Sequence, residues 1–269
     1  MEKNEKTKGM LLSISFVIEK KWKNIFLFLI FGFALGYVYF LIAPKLYKSE
    51  ILLIPGQTLQ SVSSQPSLSS LLTGGMPEST DILKNILILK SKSFLGTFLN
   101  DVNAEKTVLT SDELLLPPQN RKQITYTKFL ENNFQLTYDR INNSVLIEIL
   151  TQDPKMSSAW ANLLISRLNK NVQSEALTSI QKNIKYLLYQ YDQVKLVVRK
   201  QAISSLIERE EGKKLVTQGN EEFAFKVLDP ATEALNPSSP RLFLSLLIGL
   251  LMGLVIGVGF NIYKEYEID

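Results

Sequence analysis

Apolar side chains fall along this chain in two contrasting rhythms. Asn24–Ala43 and Leu242–Tyr263 are uncharged and almost continuously apolar. As helices rising about 1.5 Å per residue, each is long enough to cross a hydrocarbon core of about 30 Å. Lys20, Lys21 and Lys23 bound the first stretch, and Arg241 and Lys264 bound the second. The chain between them is polar, with shorter apolar periods that predict strands and amphipathic helices.

Leu46–Ile54, ended by Pro55-Gly56, predicts a strand leaving the first apolar stretch. Residues 56–80, rich in Ser, Gly, Gln and Pro, predict a mobile loop. Ser79, Thr80 or Asp81 is placed to cap a helix over Ile82–Leu89, and a further helix is expected over Ser93–Asn100. Leu114–Gln119, around Pro117-Pro118, predicts a loop, and Ile124–Asn132 a short helix. Phe134–Tyr138 and Ser144–Leu150, flanking Asp139–Asn143, form an expected hairpin. Phe223–Leu228 alternates briefly before the second apolar stretch.

Asp153-Pro154 is a helix start, with aspartate at the cap and proline in the first turn. From Lys155 to Glu211 there is neither glycine nor proline. Apolar residues recur at 160, 164, 168, 172, 176, 180, 184, 187, 191, 194 and 198, which marks one slowly wrapping helical face. One unbroken helix over Pro154–Glu211 would be about 87 Å long, too long to pack inside a single domain. The favoured reading is an extended helix that folds back within residues 190–205, followed by a returning helix ending near Gly212 or Gly219. The apolar stripe then packs on that returning helix; a seam between protomers is the alternative.

These elements divide the chain into a basic tail (1–23), a first span (24–43), a central domain (44–240), a second span (241–263) and a short tail (264–269). Lysines 3, 6, 8, 20, 21 and 23 precede the first span and Lys264 follows the second, against Lys45, Lys48 and Arg241 on the opposite flanks. That asymmetry predicts both termini in the cytoplasm and the central domain outside. A cleaved signal peptide is the competing reading of the first stretch. Its leading segment would be long and no small-x-small site follows Phe40, so an uncleaved anchor is expected.

Charge and composition narrow the chemistry. The formal net charge is +4, but residues 44–240 hold 22 basic and 20 acidic side chains, so the bias sits in the N-terminal tail. It reads as a topology signal beside anionic lipid, and no nucleic-acid partner is expected. Histidine and cysteine are both absent. Disulfides, thiol nucleophiles, Ser–His–Asp triads and the usual zinc ligands are thereby excluded. Gly212-Lys213-Lys214 lacks the upstream glycine of a phosphate-binding loop. Glu210-Glu211 and Glu221-Glu222 read as solvated surface charge. No catalytic residue, cofactor or metal is expected.

Two features are singled out instead. Ser245, Gly249, Gly253 and Gly257 stand four apart in the second span, and Gly32 and Gly36 do the same in the first. Small residues in register let helix backbones approach closely in lipid. Pro230, Pro237 and Pro240 lack amide donors and fix φ, predicting a stiff extended lead into the membrane. Tyr263 and Tyr266 are expected interfacial anchors.

Three segments resemble the Wzz-type polysaccharide co-polymerases, the chain-length determinants of bacterial surface polysaccharide synthesis. They are the entry Glu19–Glu50, with its basic stop, span and tyrosine-bearing strand; Val145–Asn162, a strand passing through Asp153-Pro154 into a helix with Ala161-Asn162; and the exit, Glu222–Ala231 followed by Pro237-Ser-Ser-Pro240-Arg241 and a glycine-rich span. The family's proline cluster is tighter, whereas here Pro230 stands seven residues before Pro237. The chain is also short for the class regulating O-antigen length, which implies a reduced helical arm, and no kinase domain is expected after the second span.

The expected fold is an α+β membrane protein: two terminal transmembrane helices enclosing a periplasmic α/β base with a long extended helix. The resemblance implies a non-enzymatic inner-membrane homo-oligomer that sets polysaccharide length by acting on a membrane-embedded polymerase, with a lipid-linked glycan as a further contact. The alternative is an inner-membrane export adaptor for capsule or exopolysaccharide, modulating a separate cytoplasmic tyrosine kinase. A two-span sensor is disfavoured, since the short tail expected after the second span has no room for an output domain.

Overall fold

A computed structural model describes residues 22–56 and 79–266. Residues 57–78 of the expected loop, the lysines before Trp22 and the Tyr266 side chain lie outside the described residues, while residues 79 and 80 of that loop open a helix. The elements run α1 (Trp22–Ile42), β1 (Tyr47–Pro55), α2 (Ser79–Lys90), α3 (Lys92–Asp101), the one-turn α4 (Glu105–Val108) and a 3-10 turn at Glu113–Leu115. Then follow α5 (Pro118–Lys128), a π-helical turn (Phe129–Asn133), β2 (Phe134–Asp139), β3 (Ser144–Thr151), α6 (Pro154–Gln193), α7 (Val197–Gly219), β4 (Phe225–Asp229) and α8 (Leu242–Tyr266). Two units result, one holding α1 and α8 with their flanks and one holding everything from Tyr47 to Leu235.

In the larger unit a four-stranded antiparallel sheet has the order β2-β3-β1-β4. Register aligns Ser49, Ile51 and Leu53 with Ile149, Ile147 and Val145, so their side chains share one face. That face is buried under Trp160, Ala161, Leu164, Ile165 and Leu168 of α6, with Ile82, Leu89, Leu95, Phe98 and Phe129 completing the core. The other face carries Lys48, Glu50 and Glu148 among half-buried leucines. Gly56 is needed where the chain leaves β1: a Cβ there would lie 2.5 Å from the Phe223 carbonyl oxygen.

The long helix breaks within the expected interval of residues 190–205. Asp153 caps α6 through its carboxylate, which accepts from the Lys155 amide at 2.9 Å. The helix runs 40 residues, and Val194–Leu196 turns the chain back into the 23 residues of α7. Trp160, Leu164 and Leu168 of the stripe enter the sheet core, while Ile180 and Ile184 are buried on the arm that α6 makes with α7. Val198 departs from the pattern: it lies past the break, in the first turn of α7, and is 81% exposed.

Three sequence expectations are corrected. Leu114–Gln119 is not all loop: Glu113–Leu115 is a 3-10 turn, and α5 begins at Pro118, whose missing amide costs nothing in a first helical turn. The helix expected over Ile124–Asn132 is therefore longer and ends in a π turn, which directs both Phe129 and Asn133 inward. Glu113 accepts from the Thr110 amide and hydroxyl at 2.9 Å each and from Lys128 at 2.7 Å. Lys128 and Thr110 together hold its carboxyl at about 2, well below the usual carboxylate range. Glu222 is also more than surface charge, since its carboxylate accepts from the Val227 amide at 3.1 Å.

Candidate functional site

Helices α1 and α8 are long and apolar enough to cross a membrane by length and composition, and they pack along the small residues. Gly32 faces the Gly249 carbonyl and the Gly253 backbone. A Cβ on Gly36 would lie 2.6 Å from the Ser245 carbonyl oxygen, and one on Gly249 2.9 Å from the Gly36 Cα. A Cβ on Gly253 would lie 2.5 Å from the Phe28 carbonyl oxygen and 3.1 Å from the Gly32 Cα. Backbone meets backbone, so no side chain fits at these positions without moving a helix. Gly257 differs: it makes room for the Phe28 side chain, whose ring lies 5.5 Å from that of Phe260.

Polar side chains finish this pair at one end. Asn261 is fully buried, donates to the Gly257 carbonyl at 2.7 Å and accepts from the Asn24 amide at 3.4 Å. Asn24 is exposed beside Lys23, so this contact closes the seam at the charged end of the apolar stretch. Sequence reasoning missed it; the signal was one asparagine in each otherwise apolar stretch. Ser245 Oγ donates within its own helix to the Arg241 carbonyl at 3.1 Å. An apolar groove of about 460 Å³ runs beside the seam, floored by Gly32, Gly36, Gly249 and Gly253.

The three prolines divide between the two units. Pro230 is exposed and ends β4 in the larger unit, whereas Pro237 and the half-buried Pro240 belong with the helix pair. Between the last two prolines, the Leu46 amide donates to the Ser239 carbonyl at 2.9 Å and the Ser238 amide to the Leu46 carbonyl at 2.8 Å. The segments that leave α1 and enter α8 are thus joined by a short antiparallel bridge.

Upstream, the returning chain is fastened to α6 by amide side chains. Asn169 accepts from the Ala224 and Phe225 amides at 3.0 and 2.8 Å and donates to the Phe225 carbonyl at 2.8 Å. Asn162 accepts from the Ala231 amide at 3.1 Å and donates to its carbonyl at 2.9 Å. Gln173 donates to the Thr217 and Asn220 carbonyls at 2.8 Å. Ser49 adds a bond to the Thr232 carbonyl at 2.9 Å and shares one of 2.7 Å with Ser157. Residues 162, 169 and 173 recur on one helix face, so a single side of α6 fixes the chain from Thr217 to Thr232.

On the outer sheet face Glu50 and Glu148 are direct cross-strand partners. Lys48 reaches both, at 2.5 and 2.6 Å, which offsets their mutual repulsion. Hydrogen bonding to Glu148 and then Glu50 raises the Lys48 pKa, and Lys48 lowers that of Glu50. Both shifts mark a structural ion cluster. Among the described residues no acidic cluster has the grouping of a metal site.

In comparisons with known proteins, no curated protein sequence matches the chain significantly. Among solved structures it is similar to a full-length bacterial polysaccharide co-polymerase, at 11% identity and a TM-score of 0.42, covering 93% of this chain and 96% of that one. It is also similar to a fragment of WzzB, a polysaccharide co-polymerase from Salmonella Typhimurium, at 11% identity and a TM-score of 0.34, covering 73% of this chain and all of that one. Neither TM-score reaches the level at which a shared fold follows. The family model described as chain length determinant protein, Wzz, matches residues 10–117, a stretch that takes in α1, β1, α2 and α3. Residues 10–117 are thus similar to the Wzz chain length determinant family, over less than half of the chain.

Proposed function

We propose that this chain is a non-enzymatic regulator of polysaccharide chain length, working in the inner membrane as a homo-oligomer on a membrane-embedded polymerase. The observation that carries the reading is the Wzz family match over residues 10–117, which spans the first apolar helix and the strand it feeds. Both termini lie in the cytoplasm and the larger unit in the periplasm, as the lysine asymmetry predicts. The small-residue face of Gly32, Gly36, Ser245, Gly249, Gly253 and Gly257 keeps the two spans together, and Pro230, Pro237 and Pro240 stiffen the chain between body and second span. The polymer whose length is set is a bacterial surface polysaccharide, O-antigen or a related one.

Deletion of the gene tests this. Polysaccharide should still be made but without its preferred length, and a plasmid copy should restore the mode. Complete loss of polymer, with single lipid-linked repeats accumulating, would overturn the reading in favour of an obligatory polymerisation role. Polymer trapped in the periplasm would overturn it in favour of an export adaptor.

A further inference from the structure

The arm formed by α6 and α7 carries a charge imbalance that the larger unit as a whole lacks. Between Pro154 and Gly219 stand 11 basic and five acidic side chains, with Lys182, Lys185, Lys195, Arg199 and Lys200 toward the turn; Glu210, which reaches Asn183 at 3.5 Å, is paired with Lys213. The helical repeat sets Lys182, Lys185, Tyr186 and Tyr189 on one side of α6, at i, i+3, i+4 and i+7. Ile180 and Ile184 are buried on the opposite side. Tyr186 and Tyr189 are 63% and 61% exposed. Lys182 and Lys185 are exposed as well, and among the described residues neither has a carboxylate partner. Two rings and two free ammonium groups therefore form a stripe about 10 Å long that contributes nothing to the core.

We propose that this stripe binds an acidic polysaccharide. Phenol rings offer flat faces to the C–H faces of sugars, and the ammonium groups meet carboxylates or phosphates repeated along a polymer. The proposal rests on the reading of the chain as a chain-length regulator, and adds the charge class of the glycan and the place where it is held. Charge argues against a two-fold contact between copies at this stripe, which would set lysine against lysine. A bilayer is disfavoured because interfacial helices insert a continuous apolar face, and here Ile180 and Ile184 are buried on the arm while Leu188 is the one exposed aliphatic side chain within the stripe's length. The exposed Leu196, Val197 and Val198 sit at the turn, beyond the stripe.

The test uses the full chain in zwitterionic nanodiscs and measures binding of alginate oligomers, with neutral dextran of equal length as control. Alginate should bind, weaken as salt rises, and outcompete dextran. The double variants Lys182→Glu/Lys185→Glu and Tyr186→Ser/Tyr189→Ser should each weaken alginate binding about tenfold, the scale of two exposed contacts. Their unfolding temperature should match the parent, since all four side chains face water. Alginate binding unchanged in both variants, or dextran binding equally well, would overturn the proposal. So would equally tight binding of single-stranded DNA, which would mean a general polyanion surface. Docking to anionic vesicles that is lost in Val197→Ser/Val198→Ser, with no alginate binding, would replace the glycan by a bilayer. A length distribution untouched by gene deletion, with alginate binding intact, would instead remove the proposed function and leave this site standing.

Discussion

Asn169 shows how much one side chain decides here. It is buried, and its amide takes the place of a strand partner for Ala224 and Phe225. Asn169→Ala leaves two amides and a carbonyl without partners, in a setting where each buried unsatisfied group costs about 1–3 kcal/mol. We expect a loss of about 3 kcal/mol in urea unfolding of the detergent-solubilised chain, followed by the fluorescence of Trp160, which is 6% exposed. Asn162→Ala, in a half-buried clamp of two bonds, should cost about 1 kcal/mol. Equal and small losses in both variants would mean that β4 is held by its pairing with β1 alone. Sequence inspection picks out Ala161-Asn162 as a motif but assigns it no role, because what an amide binds depends on a backbone more than 50 residues away.

The helix pair makes the corresponding argument for elements. Its contact depends on glycines meeting backbone, so added bulk at Gly32 must separate α1 from α8. Because the chain has no cysteine, Asn24→Cys with Asn261→Cys gives a single crosslink that reports on the seam. Gly32→Leu should reduce that crosslink about tenfold. Gly259→Leu should not, since nothing lies within 4 Å of a Cβ there. Crosslinking unchanged by Gly32→Leu would make the glycine face incidental to pairing. Among the other elements, periodicity located the long helix and the β2–β3 hairpin, and the helix's length placed its return within residues 190–205, where Val194–Leu196 makes it. Periodicity missed the early start of α5 at Pro118 and the π turn, whose inward Phe129 and Asn133 follow from core geometry rather than from a local repeat.

At the scale of the whole molecule, the orientation in the membrane is testable with the same cysteine-free background. Gln119→Cys, at an exposed position in α5, should react with an impermeant thiol reagent in cells whose outer membrane has been permeabilised. Lys6→Cys should react only after lysis. The reverse labelling would invert the lysine-based assignment and remove the periplasmic role with it. The sequence by itself determined the two apolar helices, the alternation of strands and the helical stripe, because length, charge and periodicity are local properties of a chain. It also determined which chemistry is missing, since a chain without histidine or cysteine cannot build the sites that need them. Only the tertiary structure decided that Gly32 meets Gly253, that Asn24 meets Asn261 and that one face of α6 fastens the returning chain. Those contacts join residues far apart in sequence, and which residues meet is set by how buried surfaces and unsatisfied backbone groups find partners.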